Sequence, residues 1–147
     1  MRYHAHHHTS GRGHVYQGRF KSFPIQDDGH FLTVCRYVER NPLRANLVRK
    51  AEDWRWGSLW RWRQATEPAP AILSAWAIPR SPNWVDKVNE AMSEAELEAV
   101  RRSIQRGSPF GDEKWMLTTA QRLGLSSTLR PRGRPRVRPA PDPNKET

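Results

Sequence analysis

The sequence predicts an α+β domain, one strand followed by a helix, then a helical hairpin and a disordered basic tail. Three observations predict it. Residues from Val15 to Ile25 alternate between two sets of side chains as a strand does, while His30 to Asn41 changes to helical spacing. Ser93-Glu94-Ala95-Glu96 spells a capping box, and Gly107 and Gly124 stand where helices end. From Arg130 onward Pro, Arg and Gly replace nearly everything apolar, and such a composition has too little to bury to form a core.

The elements follow in order. Tyr3 to His14 is polar, rich in His and Gly, and reads as a loop. In the strand, Gly18 permits a bulge or a close approach. Asp27-Asp28-Gly29 makes a turn able to cap the helix 30–41, which Pro42 ends or kinks because the residue before proline avoids the helical region. A short helical segment from Leu43 to Val48 is expected next. Trp54, Trp56, Trp60 and Trp62, interleaved with Arg55, Arg61 and Arg63, close the first unit, residues 1–64, and are expected to pack rather than to stack on bases. Residues 65–92, with Pro68, Pro70, Pro79 and Pro82, read as a linker. In the hairpin 93–125, Leu97, Val100 and Ile104 share one face of the first helix. Trp115, Met116, Thr119, Ala120 and Leu123 share one face of the second, which starts at Asp112. Residues 126–147 are the expected tail.

Charge narrows the function classes. Twenty-five Lys and Arg against 15 Asp and Glu give a formal net charge of +10, which points to a polyanion, nucleic acid before a membrane surface. No apolar stretch approaches the roughly 20 residues that cross a bilayer, and Met1 to His8 holds no signal-peptide core, so a cytoplasmic protein associated with the nucleoid through DNA is expected. One cysteine, Cys35, excludes an internal disulfide and a cysteine-based zinc site.

The helix 30–41 carries the most informative residues. At about 100° per residue, Phe31, Val34, Cys35 and Val38 form an apolar arc, and Tyr37 lies on the polar flank beside Thr33, Arg40 and Asn41. Asn41 is one turn beyond Tyr37, so a phenol and an amide oxygen can meet one ligand or metal ion. The same spacing fits a half-buried Tyr37 with its hydroxyl in water and an Asn41 that only ends the helix. Arg19 and Lys21 share a strand face, and Arg36, Arg40 and Arg44 recur at four-residue spacing, so these five can line a phosphate track. In the tail, Arg132, Arg134 and Arg136 within Arg130-Pro131-Arg132-Gly133-Arg134-Pro135-Arg136 form an AT-hook-like motif for an A·T-rich minor groove, or a solvated tail that binds phosphates by charge alone.

Three segments, Tyr16-Gln17-Gly18-Arg19-Phe20-Lys21-Ser22, Asp27-Asp28-Gly29-His30-Phe31-Leu32 and Arg36-Tyr37-Val38-Glu39-Arg40-Asn41-Pro42-Leu43-Arg44-Ala45-Asn46-Leu47-Val48, occur in that order. Together they resemble the REP-associated tyrosine transposases, relatives of the single-tyrosine transposases of small insertion sequences. The match covers about a third of the chain, and Trp54-Arg55-Trp56-Gly57-Ser58 resembles the segment that follows in that family. The resemblance implies the C-terminal part of a ferredoxin-like domain that binds, cleaves and rejoins single-stranded hairpin DNA. Tyr37 would be the nucleophile, forming a 5′-phosphotyrosine. A divalent Mg²⁺ or Mn²⁺ would be held by a His-hydrophobic-His strand, with Asn41 as third ligand; monomers and homodimers are both compatible with it.

The histidine strand is the departure. His4-Ala5-His6 has the spelling, but Arg2, Tyr3, Thr9 and Ser10 around it do not make the apolar strand that would orient two imidazoles. Eleven residues separate His4 from Tyr16, fewer than the family's intervening helix and loop require. The expectation is a chain truncated at its N-terminus, binding no metal by itself and inactive alone, with a non-enzymatic DNA-binding protein acting through tail and hairpin as the alternative.

Overall fold

The computed structural model describes residues 21–64, 73–131 and 133, and over these the chain is helical. Helix α1 spans Asp28–Arg44, a 3-10 turn Ala51–Asp53, α2 Ser58–Gln64, α3 Trp84–Asn89, α4 Glu94–Arg106, α5 Glu113–Arg122 and α6 Ser126–Leu129. No strand forms among the described residues. Residues 15–20 of the expected strand lie outside them, and of the rest only Ile25 pairs, in a single parallel bridge to Phe110. The ferredoxin-like sheet is therefore not part of what is seen.

Helix α1 starts as its sequence dictates. Asp27 is extended and its Oδ1 accepts from the His30 backbone N–H at 3.0 Å and contacts His30 Nδ1 at 2.8 Å. These bonds hold the Asp27 carboxyl below its ordinary range. The other end differs from expectation. The helix runs through Pro42 to Arg44, because proline forfeits one backbone bond close to the end while Leu43 packs into the core. It then closes in a Schellman motif: Leu47 N–H donates to Pro42 O and Asn46 N–H to Leu43 O, both at 3.0 Å, with Asn46 left-handed at φ 56°. Leu43 to Val48 is thus a helix end followed by a reversal, not a second helix.

The buried face of α1 is also rotated from the apolar arc. Leu32, Cys35 and Leu43 pack against a core of Ala51, Leu59, Trp84 and Val88, whereas Val38 is 56% exposed. The residue at the centre of that face is Glu39, 9% exposed. Its Oε2 accepts from Trp84 Nε1 at 2.7 Å, and its Oε1 accepts from Ser58 Oγ at 2.9 Å and lies 3.6 Å from an Arg80 Nη2. A pattern reading treats Glu as solvent-facing, so it turned the helix the wrong way.

Trp84 and Val88 sit in what reads as linker. Residues 65–72 lie outside the described region, but 84–89 form α3, and it packs on α1 and on the 3-10 turn. Trp76 stands edge-on to both Phe31 and Trp84, at centroid distances of 6.3 and 5.7 Å. The prolines obscured a short Trp84/Val88 stripe whose stability is tertiary rather than intrinsic. The first unit and the linker thus share one core.

Helices α4 and α5 form where expected. The Ser93/Glu96 capping box is complete, Gly107 stops α4 at φ 67°, and Gly124 ends α5 at φ 69°. Helix α4 packs on α1, and α5 on α6. Order continues past residue 125: α6 forms, and Arg106 Nε donates to Thr128 O at 2.6 Å while its Nη2 bonds the Ser127 and Arg130 carbonyls. The tail from Arg134 onward, and Arg132, lie outside the described residues.

A clasp joins the two ends. Gln26 N–H donates to Phe110 O, Phe110 N–H to Pro24 O, and the Gln26 amide bonds Asp112 twice, from Asp112 N–H to Oε1 at 2.6 Å and from Nε2 to Oδ2 at 3.1 Å. Gly111 leaves room for it. A Cβ there would meet Gln26 Oε1 and lie 2.7 Å from Gln26 Cβ and 2.9 Å from Trp115 Cε3.

Two predictions follow from these contacts. Glu39→Ala leaves the indole N–H and a hydroxyl without their acceptor and a guanidinium without its counter-charge, and should cost about 3 kcal/mol in urea unfolding; a loss below about 1 kcal/mol would show the carboxylate to be dispensable. Gly111→Ala should cost about 1–3 kcal/mol and raise hydrogen exchange at the Gln26 amide more than at Val88, whereas uniform exchange would remove the clasp as a separate unit.

Candidate nucleic-acid interface

With Glu39 facing inward, Tyr37 is about 160° round the helix from the core and must face out. Asn41 and Arg44 lie on the same side. Arg44 Nη2 donates to Asn41 Oδ1 at 2.7 Å and to the Tyr37 hydroxyl at 3.4 Å, and the guanidinium carbon is 5.2 Å from the centre of the phenol ring. Tyr37 and Asn41 are half-buried and Arg44 is exposed. Sequence spacing paired Tyr37 with Asn41; the structure adds Arg44 as the residue that joins them.

Arg36 and Arg40 are placed differently. Arg36 Nη2 donates to Glu90 O at 3.1 Å and Ala91 O at 3.3 Å, and lies 3.9 Å from the Glu90 carboxylate. Arg40 Nη1 donates to Val88 O at 2.9 Å and also to Asn89 O. These carbonyls belong to the end of α3 and the turn beyond it, where the helix dipole is negative, so both guanidiniums act as caps that pin α3 to α1. Burial, and then the Arg36 charge, pulls Arg40 below the usual arginine range. Of the expected phosphate track, Lys21 and Arg44 are exposed, Arg36 and Arg40 hold carbonyls of the chain itself, and Arg19 lies outside the described residues, as do Arg132, Arg134 and Arg136 of the AT-hook-like motif.

Two residues of consequence went unread. Glu39 is one. Arg80 is the other: its guanidinium is 3.6 Å from the centre of the Trp76 ring and 5.3 Å from that of Trp62, beside Glu39. The only signal was its place among tryptophans, in a stretch taken for a linker. Trp54, Trp60 and Trp62 are half-buried as packing residues, but Trp56 is 67% exposed, with the Arg55 guanidinium 4.9 Å from its ring centre. Burial, then the Glu39 charge, pushes the Cys35 thiol up to about 11, which keeps it in the thiol form at neutral pH.

The described residues do not fit a divalent metal at Tyr37. Asn41 offers one neutral oxygen, already bonded by a guanidinium whose charge would repel the ion. Among the described residues no group of three His, Cys, Asp or Glu side chains converges anywhere, and His4 and His6 lie outside them. No helix of the described chain is long and apolar enough to cross a membrane.

No protein-family model, curated protein or solved structure gives a significant match to the chain.

Proposed function

We propose that the chain binds DNA, single-stranded DNA first, on the outward face of α1 centred on Tyr37, Asn41 and Arg44, and that it does not cleave it alone. The observation that carries this reading is the convergence of Arg44 on the Tyr37 hydroxyl and the Asn41 amide at the surface. A guanidinium supplies charge for a phosphate, and the phenol and amide supply neutral hydrogen-bonding groups beside it. The excess of ten positive charges and the exposed Arg55/Trp56 pair support the same reading, since a cation next to a free indole suits an unpaired base on a phosphate strand.

The resemblance to tyrosine transposases adds a nucleophile in Tyr37 and a hairpin substrate. A phenol with an ordinary pKa of about 10 needs help to attack phosphate, and the described residues give Tyr37 an arginine but neither a base nor a metal cradle. The reading is therefore of binding, with cleavage by this chain alone not expected. The competing reading, DNA binding by the tail and the α4/α5 pair, places the work on Arg132, Arg134 and Arg136.

Arg44→Ala should weaken binding to hairpin-bearing single strands and lower the slope of log affinity against log salt by about 0.7. If that slope is unchanged while alanines at Arg132, Arg134 and Arg136 abolish binding, the tail is the interface. Incubated with such strands and Mg²⁺ or Mn²⁺, the chain should give no covalent adduct; an adduct that disappears in Tyr37→Phe would overturn the inactive reading.

A further inference from the structure

Arg36, Arg80 and Ser81 share a peculiarity. Five side-chain polar atoms among the described residues are buried without a hydrogen-bond partner: Arg36 Nε, Arg80 Nε and Nη2, Ser81 Oγ and Ser108 Oγ. Buried polar groups are nearly always satisfied, so each orphan calls for an explanation. Four of the five belong to residues that line one pocket of about 360 Å³, whose wall also includes Thr33, Trp84 and Lys87. No carboxylate lines it.

The charge in that wall is under-compensated. Glu39 is the nearest carboxylate to Arg80, yet it lies 3.6 Å away and already accepts from Trp84 and Ser58. Burial pulls the Arg80 guanidinium below its usual range, which the Glu39 charge only partly offsets. Arg36 has its carboxylate partner, Glu90, at 3.9 Å on the exposed surface. Lys87 is exposed and makes no ion pair with the described carboxylates. The Thr33 hydroxyl already donates to Gly29 O at 3.0 Å, but three cations and the Ser81 hydroxyl around one cavity form a donor-rich lining with no anion of its own, which suits a tetrahedral oxyanion with several acceptor oxygens.

We infer that the pocket between α1 and the Pro79–Lys87 segment is a phosphate site, in which Arg36, Arg80 and Lys87 supply charge and Ser81 supplies a hydroxyl. Thr33 is one turn before Tyr37 on α1, so the pocket borders the outward face that carries Tyr37 and Arg44. The occupant is a phosphate group, either of a nucleic-acid backbone or free in solution. The pocket does not depend on the reading of the Tyr37 face, since its cations and its serine hydroxyl are a different set.

Thermal unfolding of the full chain in inorganic phosphate, against chloride at equal ionic strength, tests the site, with Ser81→Ala/Lys87→Ala as the reference variant. Arg36 and Arg80 are left intact because Arg36 caps α3 and Arg80 packs on Trp76 beside Glu39. At phosphate about tenfold above its Kd the wild type should gain about 5 °C, and the double variant should lose at least half of that gain. Equal gains in both proteins mean generic salt exclusion and overturn the proposal, as does no gain in the wild type. A single-stranded oligonucleotide separates the sources. If the double variant binds it more weakly, the phosphate belongs to a backbone; if it loses the phosphate gain but keeps oligonucleotide affinity, the site takes free phosphate. Wild type that gains stability from phosphate yet binds no oligonucleotide would sink the DNA reading and leave the pocket standing.

Discussion

The buried carboxylate of Glu39 is the constraint on which the arrangement of α1, α2 and α3 turns. An ionised group taken out of water is costly unless its lone pairs are used, and here an indole N–H and a serine hydroxyl use them while the Arg80 guanidinium 3.6 Å away balances the charge. Those partners come from α3, α2 and the segment before α3, so a single side chain of α1 fixes three neighbours. It also fixes the rotation of α1. Because Glu39 cannot leave the core, Tyr37, Asn41 and Arg44 cannot enter it, and the candidate interface is a by-product of how the core is satisfied.

Arginine plays two roles. Arg36 and Arg40 bond carbonyls at the C-terminal end of α3, and Arg106 bonds carbonyls of α6 and the residues around it. Helices of six and four residues are too short to persist by backbone bonding alone. Guanidiniums from longer helices hold them by their exposed carbonyls. Part of the positive charge that suggests nucleic acid is thus spent inside the molecule, and a count of Lys and Arg overstates the surface available to a polyanion. Of the cations argued above, Arg44, Lys21, Arg55 and the rim of the Arg36/Arg80/Lys87 pocket stay open to such a partner.

Legibility in the sequence followed the range of the interaction. Caps are local, so Asp27, the Ser93/Glu96 box, Gly107 and Gly124 were readable to within a residue or so. The Tyr37/Asn41 pairing was readable too, because i,i+4 spacing is local geometry. What failed depended on distant partners. Glu39 looked solvated because Trp84 lies 45 residues away. Pro42 looked like a terminator because the packing of Leu43 is invisible locally, and α3 looked like linker because its stability comes from α1. Arg36 and Arg40 have the spacing of a phosphate track and the contacts of a helix cap; periodicity cannot tell a carbonyl of the chain from a phosphate of a ligand.

The clasp between Gln26 and Asp112 has a kinetic meaning. Its partners are 86 residues apart, so closing it requires the intervening chain to give up loop entropy that nearer contacts do not. Local helices and the Glu39 core can form first, and the clasp can only lock afterwards, which makes it a late event in folding and an early one in unfolding. The stretch that leads from residue 21 into α1 is therefore the part that opening of the clasp would release, ahead of the Glu39 core. When it opens, the His30 ring loses its edge contact with Phe110, and the start of the helix that carries Tyr37 is freed while the Glu39 end stays anchored.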